Sequence, residues 1–278
     1  MQNLLTEKNS IYLPLILVPI HMTVRYTYQK IISYLLRNKK NNRKIAESSF
    51  YCLQYFALTT MANTLRKRNN LTWNNLQSLY AEKLPNNNSF TTLHAIYLMG
   101  EVSVYISALI FLCFETRKNY ADFFMTLFHH VVTVSIIIFA YPYGNYNYSV
   151  AVAFMHDIAD VILEFSKTLV YLEYMIISKL TFVIFAISFI VPRVFIQPNY
   201  LIMPFWNGKM DAILKEMDEG VNLLVAYTKE ERTYAPILLS IIYVLSCLWS
   251  VIILQMVVRM FQPKQWSDIR EDEKSKQD

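Results

Sequence analysis

Glycine is scarce in this chain, with four in 278 residues. None lies in a GxGxxG or Walker arrangement, so a backbone cradle for nucleotide phosphates is excluded. Charge is scarce as well: Asp, Glu, Lys and Arg make up 17% of the sequence, where soluble domains carry about 25%. The three cysteines, Cys52, Cys113 and Cys247, are scattered and fit neither a disulfide framework nor a zinc spacing. What is abundant is apolar: 54% of residues are hydrophobic, and mean hydropathy is +0.25. This excludes a disordered chain and argues against a soluble globule. The apolar residues fall in repeated uncharged blocks, the pattern of an all-α polytopic membrane protein. The net charge of +5 is dispersed over loop clusters, which reads as topology information rather than nucleic-acid binding.

Seven spans are expected, at 9–24, 48–65, 92–114, 123–141, 146–171, 180–197 and 233–258. The first carries Pro14 and Pro19, and Arg25 extends it by snorkelling. The densest basic loop, Arg37, Lys39, Lys40, Arg43 and Lys44, follows the first span and is assigned to the cytosol. An odd number of crossings then leaves the N-terminus lumenal and the C-terminus cytosolic. The loop 66–91 becomes lumenal. Its Arg66-Lys67-Arg68 run opposes that placement, whereas the acceptor sequons Asn70-Leu71-Thr72 and Asn87-Asn88-Ser89 favour it. No cleavable signal peptide is expected. The final residues, Lys274-Ser275-Lys276-Gln277-Asp278, match a dilysine endoplasmic reticulum retrieval signal; the alternative is a charged tail with no address. The organisation expected is an N-terminal helix with its basic stretch (1–40), a main membrane domain (41–262) and a polar tail (263–278).

A charged side chain at the centre of a hydrocarbon span costs on the order of 3 kcal/mol, so a cluster of them is a functional hypothesis. The fifth span holds His156, Asp157, Asp160, Glu164 and Lys167, all within an arc of roughly 100° on one helical face. The fourth holds His129, His130 and Thr133 on a similarly narrow face. The third carries Glu101 in a stripe with His94, Tyr97 and Tyr105. The short connection around Gly144 is expected to make the fourth and fifth helices antiparallel neighbours. His130 lies 14 residues before that glycine, Asp157 13 after it and Asp160 16 after it. Three of the five histidines therefore meet at one depth. A histidine beside a carboxylate is held in one tautomer, and a second can shuttle a proton while the first acts as nucleophile or base. That set suits acyl transfer away from water.

Plainer roles are assigned to the other polar residues. Glu164 and Lys167 are expected to neutralise each other, and His21 and His94 to be interfacial. Glu101 with its tyrosines fits a helix-packing network as well as a substrate contact. Arg193 fits either a snorkelling side chain or a partner for a buried carboxylate. No metal is expected: HxxxH is absent, and Thr126 stands where an HxxHH box would need histidine. The sequence departs in this from membrane di-iron oxygenases and from fatty-acid elongases.

The stretch 122–171, with FHHVVT followed by MHDIADVILEFSK, closely resembles the Lag motif of ceramide synthases in the TLC-domain superfamily. The family's His-His pair and His-Asp-x-x-Asp fall on His129, His130, His156, Asp157 and Asp160. Weaker likeness extends over 44–261 through Lys44–Ser48, Leu98–Glu101 and Arg193. The chain departs in lacking a homeobox-like insert and a Trp-rich lumenal loop, and in its charged segment 203–232. The resemblance implies a six-helix TLC barrel around a lipid tunnel plus an N-terminal helix. It implies N-acylation of a sphingoid base by a fatty acyl-CoA, within membrane lipids of the endoplasmic reticulum. His129, His130, His156, Asp157 and Asp160 are then catalytic, with the acyl group on His129, His130 as shuttle and Asp157 orienting an imidazole. His156 with Asp160 would position or deprotonate the amine. Glu101, Thr133 and Arg193 would contact substrate, and no cofactor beyond the acyl-CoA substrate is implied. Whether the protein is a homo- or hetero-oligomer is open. The rival reading is a non-catalytic TLC protein that binds or senses lipid.

Overall fold

The computed structural model describes residues 6, 8–72, 75–84, 90–114 and 123–261. The second sequon, the Arg117-Lys118 pair, Asp122 and the dilysine-like tail lie outside the described residues. Seven long helices are present among those described: α1 (Pro14–Leu35), α2 (Asn42–Arg68), α3 (Thr92–Phe114), α4 (Phe123–Ala140), α5 (Tyr146–Tyr171), α6 (Met175–Ile190) and α7 (Lys229–Met260). The segments Thr92–Phe114, Phe123–Tyr143, Met175–Trp206 and Lys229–Met260 are long and apolar enough to cross a membrane. The helices α1, α2 and α5 are comparably long and more polar.

The way the helices pack explains where that polarity goes. In order around the molecule, α2 packs on α3, α3 on α4, α4 on α7, α7 on α6, α6 on α5 and α5 back on α2, closing a ring of six. Helix α1 lies outside it against α2 and α3. Apolar side chains also point outward: Ile237, Val244, Leu248, Val251 and Val258 line the exposed face of α7, and Ile176, Ile177, Leu180, Ile184 and Ile187 that of α6. In water such stripes would be aggregation sites; in a bilayer they are the lipid face.

Two expectations change. Helices α4 and α5 follow each other in sequence but make little direct contact, because α3 and α7 flank one while α2 and α6 flank the other. They face each other across the interior of the ring, joined by a tight turn at Tyr141–Tyr143 and by Gly144, whose φ of 75° suits glycine. The first helix also continues ten residues past Arg25, to Leu35. Arg25 does not snorkel: it is buried, stacks on Phe111 (3.8 Å) and Tyr51 (4.8 Å), and pairs with Glu47 at 3.6 Å.

Helix α6 runs on beyond Ile190 as two wide π-helical turns, Val191–Ile196 and Pro198–Ile202. Pro192 and Pro198 remove two backbone donors there, and the altered turns accommodate the loss. The charged segment that follows folds into the helices Met203–Trp206, Lys209–Met217 and Leu223–Ala226. With a short helix at Leu76–Tyr80, it covers one end of the ring. Tyr80 is fully buried there against Tyr148, Phe205 and Tyr227. The Glu82 carboxylate accepts the backbone N–H groups of Asn147 (2.9 Å) and Tyr148 (3.4 Å), satisfying the start of α5.

The Lys83 ammonium fastens this cap. It donates to the Tyr143 carbonyl (2.7 Å) and pairs with Glu231, both side chains being buried. Glu231 also accepts from the Asn145 amide (2.8 Å) and forms a capping box with Thr228 at the start of α7. Burial pushes the Lys83 amine below the ordinary lysine value, and Glu231 opposes that shift. Removing one partner of a buried pair strands the other and costs about 3–5 kcal/mol. Lys83→Met should therefore lower the thermal midpoint in detergent more than Lys83→Met combined with Glu231→Gln, as read from unfolding curves.

Candidate active site

Four helices of the ring deliver polar groups to its interior. The α3 stripe Tyr97, Glu101, Tyr105 repeats every four residues, so its members stack along one face. Beside it, α5 presents His156, Asp157 and Asp160; α4 presents His129, His130 and Thr133; the π-widened end of α6 presents Arg193. Glu101, Asp157, Arg193 and His156 are all under a tenth exposed.

The two adjacent histidines have ring centroids 5.7 Å apart. Tyr105 lies edge-on to both, at 6.1 Å from His129 and 5.2 Å from His130, and Trp249 of α7 stands perpendicular to His129 at 5.2 Å. His129 is thereby framed on two sides by aromatic rings. Its Nδ1 and that of His130 are buried without a hydrogen-bond partner.

His156 is fixed differently. Its Nδ1 lies 2.9 Å from the Val152 carbonyl, one turn back on α5. A carbonyl only accepts, so Nδ1 carries the proton, and in the neutral ring Nε2 keeps its lone pair. That Nε2 is buried and unpartnered. The orienting group for this imidazole is a backbone carbonyl; Asp157 instead accepts at Oδ2 from the Tyr97 hydroxyl, at 3.0 Å. Asp157 thus has a different hydrogen-bond partner from the imidazole expected.

Arg193 holds the α5–α6 side together. Its Nη2 donates to the His156 carbonyl (2.8 Å) and to Asp160 (3.4 Å), while the guanidinium stacks on Phe189 at 3.9 Å. Of the two roles open to it, the structure assigns carboxylate partner. Glu164 and Lys167 pair at 2.6 Å, as expected. His94 lies in the first turn of α3, at the end of its span, and is fully buried there, accepting from the Thr91 N–H at Nδ1 (3.1 Å) and bonding Asn147 at Nε2 (3.3 Å). His21 bonds Gln54 at 2.7 Å.

Two cavities meet in this region. The smaller, about 60 Å³, is lined by Glu101, Thr133, His156, Tyr105 and His129 and extends toward Asn145 and Glu231 of the cap. The larger, about 220 Å³, is lined by His130, Asp160, Arg193 and Trp249, again with Tyr105 and His129. His129 and Tyr105 border both. Seven of the eight residues singled out in the sequence line one cavity or the other; Asp157 lines neither and is hydrogen-bonded to Tyr97. Trp249 was not legible in advance, since an aromatic residue in an apolar span carries no distinguishing pattern.

The TLC-domain family model matches residues 44–255, the six-helix ring without α1. The chain belongs to the TLC-domain family. Two curated relatives from Arabidopsis thaliana are similar over nearly the whole chain. Ceramide synthase 1 LOH3 is 25% identical over 273 residues, covering 89% of this chain and 84% of that protein. Ceramide synthase LOH1 is 25% identical over 281 residues, covering 90% and 85%. Sphingosine N-acyltransferase lag1 of Schizosaccharomyces pombe is 24% identical over 247 residues, covering 87% and 60%. The TLC ring is thus shared with proteins named for ceramide synthesis.

The Arg193 bridge yields a direct test. Arg193→Met should lower the unfolding midpoint in detergent, and adding Asp160→Asn should recover part of the loss. The coupling in this double-mutant cycle is expected at about 1–3 kcal/mol.

Proposed function

We propose that this protein is a ceramide synthase, transferring a fatty acyl group from acyl-CoA to the amine of a sphingoid base. The observation that carries this reading is the position of His129 on the border of two cavities, beside His130 and across the ring from His156. An acyl group on an imidazole placed there extends into one cavity while its carbonyl is open to attack from the other. The relatives named ceramide synthase and sphingosine N-acyltransferase support the same activity.

In the proposed sequence His129 attacks the thioester carbonyl, the C–S bond breaks and CoA leaves as the thiol. His130 relays the proton between ring and leaving group. The amine then attacks the acyl-imidazole, with His156 Nε2 as the base made available by the Val152 carbonyl. Arg193, paired with Asp160, supports the His156 backbone carbonyl. Enclosure by the ring keeps water from the activated acyl group. The reaction draws on no cofactor beyond acyl-CoA itself. The basic cluster from Arg37 to Lys44 attracts the CoA phosphates from the cytosolic side. The same reading places the protein in the endoplasmic reticulum membrane, N-terminus lumenal and C-terminus cytosolic. The division 1–40, 41–262 and 263–278 is proposed with it.

The test is intact mass of the detergent-purified protein before and after palmitoyl-CoA. A gain of one acyl group, removed by hydroxylamine, absent from His129→Ala/His130→Ala and discharged by sphinganine into ceramide, is expected. His129→Ala alone should lower turnover by about three orders of magnitude or more. Ceramide formed without an adduct would keep the activity and remove the covalent step. Neither adduct nor ceramide, over a range of acyl lengths, would favour the lipid-binding reading.

A further inference from the structure

Among the described residues, four buried or part-buried carboxylates of the helical ring and its cap are paired with cations. Asp160 has Arg193, Glu164 has Lys167, Glu231 has Lys83 and Glu47 has Arg25. Two do not. Glu101 and Asp157 are 0% and 1% exposed, and neither has a cation within ion-pairing distance among the described residues. Both Glu101 oxygens and Asp157 Oδ1 are also without a hydrogen-bond partner. The two carboxyl groups are neighbours, and Tyr97 serves one oxygen of one of them. An acidic pair in a membrane-embedded ring with no cation, and with the Tyr97 hydroxyl as its one side-chain donor, is unfavourable when both groups are charged. The complementary ligand is a cation that also donates hydrogen bonds.

Glu101 lines the small cavity together with His156, whose Nε2 is unpartnered, and Thr133, whose hydroxyl is unpartnered. This combination has a definite complement. A carboxylate selects an ammonium, a hydroxyl selects an alcohol, and an imidazole lone pair beside the ammonium accepts a proton from it. Apolar Ile136, Ile137, Leu239 and Ile242 also line the cavity, so an apolar chain attached to the head would start along an apolar wall. We infer that Glu101, backed by Asp157, is the recognition residue for the protonated amine of a long-chain amino alcohol, with Thr133 reading its hydroxyl. This rests on the ceramide synthase reading and specifies where the second substrate binds.

The chemistry balances. The bound ammonium gives one proton to His156 Nε2, and its nitrogen lone pair then forms the C–N bond to the acyl carbon. The bond from that carbon to its carrier breaks, and the carrier takes the second proton lost by the new amide nitrogen. Glu101 supplies the negative charge that holds the cation until the first proton leaves, and it forms no bond to the acyl group.

The test is calorimetric titration of the detergent-purified full chain, without acyl-CoA, using sphinganine and its uncharged analogue N-acetylsphinganine. Glu101→Gln keeps shape and removes charge. It should weaken sphinganine about 10- to 100-fold, the loss of one charge-assisted interaction, and change N-acetylsphinganine by less than about twofold. Glu101→Asp should recover part of the sphinganine affinity. Equal losses for both ligands would make Glu101 a packing residue and overturn the inference; so would unchanged sphinganine binding. A wild-type protein that binds sphinganine through Glu101 but makes no ceramide would overturn the transferase reading and leave the amine site standing.

Discussion

Everything in this fold follows from the cost of placing ionisable side chains in hydrocarbon. One helix, α5, carries two acids of the reaction centre, a histidine and an ion pair on a single face, and no lipid-exposed position can hold that face. A ring of six helices gives it an inside to turn toward. Arg193 is the most economical expression of this constraint: one guanidinium satisfies a backbone carbonyl and a carboxylate, and buries its flat face on Phe189. The outward stripes of isoleucine, leucine and valine on α6 and α7 are the complement of the same rule.

The inward residues were legible in the sequence because charge in a span is rare and helical spacing shows which side it takes. His129, His130, Thr133, His156, Asp160 and Glu101 could be assigned to the interior by that reasoning, while Arg193 stood between snorkelling and pairing with a carboxylate; the structure has all seven lining two cavities. Helix neighbours were harder to infer. A short turn joining α4 and α5 suggested direct packing, yet the ring order is decided by faces. Each of these helices buries its sides against other partners and leaves its polar face to the interior. Arg25 failed for a related reason: beside a basic loop it resembled a span end, whereas Phe111, Tyr51 and Glu47 give it a buried seat. No local pattern announces such a seat, because its components come from two other helices.

Hydrogen-bond direction separates the three histidines in a way composition does not. His156 has its tautomer set by a carbonyl on its own helix, so its basic nitrogen is defined before any ligand arrives. His129 and His130 have no such tether at Nδ1 and are positioned by ring packing against Tyr105 and Trp249. A fixed tautomer suits a group that accepts a proton repeatedly at one place. An untethered Nδ1 suits a group whose two nitrogens exchange roles during a cycle.

Lys83 joins parts of the chain that are remote in sequence: it lies between α2 and α3, Tyr143 between α4 and α5, and Glu231 at the beginning of α7. Surface connections ordinarily accept inserted residues with little penalty. These three are not independent, since lengthening one would pull on a contact shared with the others and, through Asn145, on the wall of the small cavity. Tolerance to insertion is therefore uneven across the molecule, and epitope tags or fluorescent reporters placed in these connections would disturb the reaction centre from a distance.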